Sequence, residues 1–235
     1  MGFKMDEETR REVTRLLKQM TGRVYLRFFK PEKEEECMYC KEEEELLNIL
    51  SSLAPSGKII IEKYSSKSEE ALKYSVDLFP ALLVHGEGKN YGIRFFGIPA
   101  GYEFAVLIED IIDVSRGSVD LDKETLEILR HVDEPVKIKV FVTPSCPYCP
   151  IAVRTAHKFA MANENVSGDM MEALEFREFA EKYNVYAVPK VIINDVIEFE
   201  GAIPAKYFAV AVVESIGKRI PGLDFKEIYK RLRSR

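Results

Sequence analysis

The sequence predicts an α/β protein built from two tandem units of one kind, and three observations predict it. Each unit opens with an apolar strand that runs into a Cys-x-x-Cys pair and then a helix. The two pairs, Cys37 with Cys40 and Cys146 with Cys149, stand 109 residues apart. At that same offset residues 71–80 fall on residues 180–189 with five of ten identical, and Tyr39 falls on Tyr148. Self-similarity at a fixed period marks a duplicated unit. A chain of 235 residues, 46% of them hydrophobic, has enough material for two small cores. The units expected are 1–117 and 118–235, each a mixed central sheet flanked by helices.

The elements follow in order. Residues 6–20 place Val13, Leu16, Leu17 and Met20 at helical spacing, leading into a strand over 24–29. The acidic stretch 31–36 makes the loop to Cys37 about three residues longer than its counterpart. A helix over 41–53, a strand over 58–62 and a short helix over 68–74 come next. Strands 81–85 and 91–96 pair across 86–90, and 101–114 is a closing helix. Ser-Arg-Gly-Ser at 115–118 reads as the junction. The second unit repeats this order with a helix over 120–131, a strand over 136–142 and a helix over 151–162. A hairpin of 191–194 and 196–200 turns on Asn194 and Asp195, and Phe225, Ile228, Tyr229 and Leu232 give a final helix one apolar face.

A Cys-x-x-Cys pair on a strand-to-helix corner has specific chemistry. The first sulfur sits at a helix start, where free N–H groups and the helix dipole favour a thiolate. The second lies one turn on and can close a small disulfide ring with the first. Such a pair exchanges with another disulfide through a mixed-disulfide intermediate. Cys37 and Cys146 therefore read as attacking sulfurs, Cys40 and Cys149 as resolving ones. Pro147 suits the helix start, and Pro150 falls in or near the first turn.

Composition narrows the class. A net charge of −5 argues against a dedicated nucleic-acid binder, and the basic tail Lys226, Lys230, Arg231, Arg233 and Arg235 reads as cations at a helix C-terminus. Charged residues at 31%, a single glutamine and no tryptophan lean towards a thermophilic source. The N-terminus has no apolar core of a signal peptide, and Asp6 stands where myristoylation wants Ser or Thr. The greasy stretches 104–114 and 207–216 are broken by Glu109, Asp110 and Glu214, so no membrane span is expected. The expected location is the cytoplasm, whose reducing conditions make paired cysteines catalytic or metal-binding before structural. His85, His131 and His157 fit no ligand spacing and read as surface or packing residues.

With strand, Cys-x-x-Cys helix, a later apolar-Pro-strand step and a hairpin ending in Gly, each unit resembles the thioredoxin fold. Cys146-Pro147-Tyr148-Cys149 is similar to the active-site sequence of glutaredoxins. Two such units in one chain resemble the glutaredoxin-like protein disulfide oxidoreductases of thermophilic archaea and bacteria. That resemblance implies a dithiol–disulfide oxidoreductase reducing client proteins, with oxidation and isomerisation as further activities. It implies redox-active disulfides with no bound cofactor, and electrons from NAD(P)H through a thioredoxin-reductase-like flavoprotein. It also implies that Pro80 and Pro189, each 43 residues after the first cysteine of its unit, are cis-prolines packed against the disulfide. Phe79 and Val188 would then offer backbone groups to an extended client, with Tyr39 and Tyr148 as apolar contact beside the sulfurs. Met38 and the duplication depart from the glutaredoxin pattern and its glutathione site. The buried acid of thioredoxins is missing too: six residues before Cys146 stands Val140, and before Cys37 stands Pro31.

Flanking charge separates the two sites. Eight glutamates lie between positions 32 and 45 (Glu32, Glu34, Glu35, Glu36 and Glu42 to Glu45), against Lys33 and Lys41. From 136 to 158 there is no acid, against Lys137, Lys139, Arg154 and Lys158. The second site is thus expected to be the more reactive. Two other classes stay open: a structural protein whose four cysteines jointly hold a metal, and a client-binding chaperone whose cysteines are secondary.

Overall fold

The computed structural model describes residues 5–234; Arg235 of the basic tail lies outside them. The first half runs α1 (Glu7–Leu17), β1 (Val24–Lys30), α2 (Cys40–Leu53), β2 (Ile59–Ser65), α3 (Glu69–Lys73), β3 (Ala81–Gly86), β4 (Lys89–Phe96) and α4 (Glu103–Arg116). The second runs α5 (Lys123–Leu129), β5 (Val136–Val142), α6 (Cys149–Ala162), β6 (Val166–Glu172), α7 (Arg177–Lys182), β7 (Lys190–Ile193), β8 (Ile197–Glu200), α8 (Ala205–Glu214) and α9 (Phe225–Arg233). Local chemistry explains several ends. Asp6, Asp122 and Asp224 cap α1, α5 and α9 through their side chains. The β7–β8 hairpin turns on Asn194 and Asp195, both left-handed at φ 50° and 57°, and the Val196 N–H closes that turn on the Ile193 carbonyl at 3.0 Å.

The closing helix of the first half runs two residues further than expected. Ser115 and Arg116 are the last turn of α4, and the helix ends at Gly117, which takes φ 67° as a left-handed cap. Ser115 is held in place because its carbonyl accepts from the Gly22 N–H at 2.8 Å and its hydroxyl from the Thr21 N–H at 3.2 Å. The first hairpin is also tighter than expected, with strand structure reaching Gly86 and resuming at Lys89.

All eight strands form one sheet in the order β2-β1-β3-β4-β6-β5-β7-β8. Alternation sends Leu26, Phe28, Ile138 and Val140 to one face, where they join residues of α1, α2, α4, α5, α6, α8 and α9 in one continuous core. Phe29, Leu83, Phe96, Phe141 and Met171 point the other way, into a smaller core beneath α3 and α7. Both helices that begin with a cysteine, α2 and α6, therefore lie on the same face.

The halves meet where β4 runs parallel to β6, with Arg94 opposite Asp169. These two side chains, both buried, form a bidentate pair with N···O distances of 2.6 Å. Arg94 also donates to the Tyr74 carbonyl at 3.3 Å and lies 5.1 Å from the Phe96 ring. On the opposite face α4 and α6 carry a second buried ionic cluster. Arg154 binds Glu109 (2.8 Å), Asp110 and Asp113 (2.5 Å), and His157 Nδ1 lies 2.6 Å from Asp110. His157 is thus a member of the junction, not a surface residue. At the far end of the sheet the Tyr229 hydroxyl accepts from the Glu200 N–H (2.9 Å) and donates to the Glu200 carbonyl (3.1 Å).

Removing one member of a buried ion pair leaves an uncompensated charge. We expect Arg94→Met to lower stability by about 3–5 kcal/mol in chemical denaturation, and Arg94→Met with Asp169→Leu to recover most of that loss.

Candidate active site

Cys146 and Cys149 form a disulfide with Cα atoms 5.5 Å apart. The β5 strand delivers the chain to Thr143, whose carbonyl accepts from the Cys146 N–H at 3.0 Å. Tyr148 then stands at the N-cap position, and α6 begins at Cys149 with Pro150 in its first turn, where no intrahelical N–H bond is lost. The first sulfur therefore lies just ahead of the helix and receives the Cys149 N–H at 3.1 Å. Cys146 keeps 8% of its surface exposed, whereas Cys149 is fully buried. The Val188 carbonyl approaches Cys146 Sγ to 3.7 Å, and the Val188–Pro189 bond is cis. Tyr148 is exposed beside them.

Cys37 and Cys40 repeat the arrangement, with a disulfide and a Cα separation of 5.6 Å. A 3-10 turn over Glu34–Glu36 takes up the longer loop, Tyr39 is the N-cap and α2 begins at Cys40. Cys37 is half-buried, Cys40 buried, and Met38 and Tyr39 face outward. The Phe79–Pro80 bond is cis, as at the second site. Each pair is closed on itself at the start of its own helix.

The halves enclose a cleft of about 1140 Å³ between the two centres, lined by Met38 and Tyr39 from one and by Pro144 and residues 172–182 from the other. The chain joining β4 to α4 makes its wall. A side chain on Gly101, at φ 64°, would collide with the Pro144 carbonyl, which the Tyr102 N–H meets at 3.2 Å. Four carboxyls gather around this region. Glu175 Oε1 accepts from the Ile98 N–H (2.7 Å), and Glu172 Oε2 accepts from the Glu175 N–H (2.6 Å). Burial, with Glu175 as a nearby like charge, pushes the Glu43 carboxyl well above its ordinary range. Burial raises Glu172 as well, and lifts Glu103 and Glu175 each to about 7. Sequence reasoning missed all four. Glu43 and Glu103 had a signal, since Glu43 shares the apolar face of α2 with Leu46, Leu47 and Leu50, and Glu103 that of α4 with Val106, Leu107 and Ile111; for the other two only the junction reveals burial.

The charges around the cysteines also look different in space. Glu32 pairs with Lys67 at 2.6 Å, Glu44 with Lys30 and Lys63 at 3.0 and 2.7 Å, and Glu43 is buried. Near Cys146, Arg154 is taken up by three acids of α4, and Lys139 by Asp195 at 2.5 Å. Counting along the chain overstates the contrast, because the partners come from other elements.

A carboxyl held near 7 in the fold and near 4.5 when unfolded binds its extra proton only in the folded state. Its contribution to stability is complete below about pH 4.5 and is lost as pH rises through about 7. Glu103→Gln should therefore raise the Tm by ~5 °C at pH 8 and leave it nearly unchanged at pH 4, read by calorimetry.

Comparison with known proteins agrees with this geometry. A family model described as "Thioredoxin domain" matches residues 136–214. The F component of alkyl hydroperoxide reductase from Staphylococcus aureus is 29% identical over 154 residues, which are 66% of this chain and 28% of that protein. The chain thus spans little more than a quarter of the length of that relative. Among solved structures, a protein disulfide oxidoreductase from Aeropyrum pernix K1 superposes with a TM-score of 0.81 at 29% identity, covering 93% of this chain and 97% of the other. The NTD_N/C domain of alkylhydroperoxide reductase AhpF from Enterococcus faecalis gives a TM-score of 0.80 at 24% identity, covering 89% and 100%, a likeness of fold. The chain is a double thioredoxin-fold protein with a Cys-x-x-Cys disulfide in each half, and over nearly all its length it is built like a protein disulfide oxidoreductase.

Proposed function

We propose that this protein is a dithiol–disulfide oxidoreductase acting on disulfides of client proteins at both Cys-x-x-Cys centres. The observation that carries this reading is the second pair, a disulfide at a helix start whose first cysteine keeps 8% of its surface exposed beside the Val188 carbonyl while its partner keeps none. In the reduced protein the Cys146 thiolate attacks one client sulfur, forming a mixed disulfide and releasing the other client sulfur as a thiolate. Cys149 then attacks Cys146 Sγ as a thiolate, which closes the protein's own disulfide and frees the second client thiolate. The client gains two electrons, the protein loses two, and the client thiolates take up two protons. Run backwards, the same steps oxidise a dithiol client.

Cys37 and Cys40 act in the same way at the first centre. Val188 with Pro189 and Phe79 with Pro80 offer backbone to the client, and Tyr148 and Tyr39 offer apolar contact. Two electrons from NAD(P)H, delivered through a thioredoxin-reductase-like flavoprotein, restore the dithiols. The relationship to the F component of alkyl hydroperoxide reductase supports a partner of that kind. We place the boundary between the functional units at 117/118, after the Gly117 cap, and the protein in the cytoplasm. Among the described residues no helix is long and apolar enough to cross a membrane.

Reduction of insulin disulfides with each cysteine pair replaced in turn by serine tests the proposal; a double replacement that keeps full activity would overturn it. Cys149→Ser should trap mixed disulfides through Cys146 on denaturing gels, and Cys146→Ser should trap few. The order of reactivity is checked by the pH dependence of alkylation in two variants that each retain only Cys37 or only Cys146. Cys146 is expected to titrate lower, by less than about one unit given the paired glutamates around Cys37.

A further inference from the structure

Seven methionines occur in the chain, and their surroundings divide them. Met20, Met161, Met170 and Met171 are buried, and Met5 packs half-buried against the larger core. Met38 keeps 66% of its surface exposed, and among the described residues it is the only exposed methionine. It stands between Cys37 and Tyr39, just ahead of α2, so a client whose disulfide meets Cys37 lies against it. With Tyr39, Leu78, Leu174 and Phe176 it also forms the apolar wall of the cleft. The repeat offset of 109 residues puts Pro147 at the same place in the second centre, and a proline ring carries no thioether. The two centres therefore differ in one chemical respect. Beside the first attacking cysteine lies a solvent-facing thioether, and beside the second there is none.

We propose that Met38 is an oxidative modification site, through which peroxide slows the first centre and spares the second. The thioether sulfur attacks one oxygen of hydrogen peroxide; the S–O bond forms as the O–O bond breaks. The sulfur is oxidised by two electrons, and the departing hydroxide takes the proton of the attacked oxygen and leaves as water. The product, methionine sulfoxide, is polar where the thioether was apolar. A client that covers it must desolvate the new oxygen, a cost the thioether does not impose. The core is untouched, because Met38 contributes nothing to it. The effect on clients rests on the oxidoreductase reading, whereas the oxidation itself does not.

The test begins with the protein in its disulfide form, so that no free thiol competes for the oxidant. It is treated with hydrogen peroxide, quenched with catalase, digested and mapped by mass spectrometry. Met38 should gain one oxygen at least about tenfold faster than Met20, Met161, Met170 or Met171. Insulin reduction is then compared before and after treatment in two variants. Cys146→Ser with Cys149→Ser keeps the first centre and should slow about threefold or more. Cys37→Ser with Cys40→Ser keeps the second centre and should not slow. Methionine sulfoxide reductases for both epimers should restore the first centre, and adding Met38→Leu should make it insensitive to peroxide. Oxidation of Met38 no faster than that of the buried methionines would overturn the proposal. So would a first centre that keeps its rate after full conversion of Met38, or one that still slows with leucine there. A first centre that reduces no insulin even untreated would overturn this proposal and the oxidoreductase reading of that centre together. Failure seen only in the treated samples belongs to this proposal alone.

Discussion

Buried charge is costly unless its partner is held in good geometry, and the joint between β4 and β6 is built on such a pair. Arg94 and Asp169 meet only in one register, since a slip of one residue between the two strands would set them on opposite faces of the sheet. The register in turn decides where the chain leaving β4 arrives. Ile98 reaches Glu175, and Tyr102 reaches Pro144, on the loop that carries Cys146. The second ionic cluster, around Asp110, ties α4 to the helix that Cys149 begins. Both faces of the sheet are thus pinned at the same place. The cleft and the approach to Cys146 inherit their shape from that joint.

Duplication alone would give two equal centres, but their surroundings differ, partly through the joint and partly through the longer loop of the first unit. The second centre has a helix and a loop of the first half packed against it, with Arg154 drawn into the packing. The first centre lies at the end of a longer loop, with its first sulfur half-buried and Met38 turned out. Carboxyls from both halves crowd between them, each protonated more readily than a surface glutamate because burial disfavours its charge.

Much of this was legible in the sequence, for physical reasons that can be named. Cysteine pairs, prolines and the Asn194–Asp195 turn are local signals whose meaning does not depend on distant residues, and the repeat offset let each half corroborate the other. Pro80 and Pro189, Gly97 and Gly201, and Ser75 and Asn184 take matching conformations in the two halves. What was not legible came from packing between the halves. Glu172 and Glu175 look like ordinary surface residues until the partner half covers them, and for His157 the same packing decides between the surface and packing readings. The glutamates around Cys37 weigh less than their number along the chain suggests, because Lys63 and Lys67 lie far along the chain and close in space.

The sheet has two remaining edges, β2 and β8, and they are the repeat counterparts of β6 and β4. The hairpin register equates Glu198 with Arg94, and pairing with the first strand of each half equates Glu62 with Asp169. Where the internal joint sets arginine against aspartate, an added copy laid edge to edge would set glutamate against glutamate. The Tyr229 hydroxyl already occupies both backbone groups of Glu200 that such a copy would need. Neither edge therefore repeats the complementarity of the internal joint: at one position the charge is reversed, and at another one phenol covers the backbone.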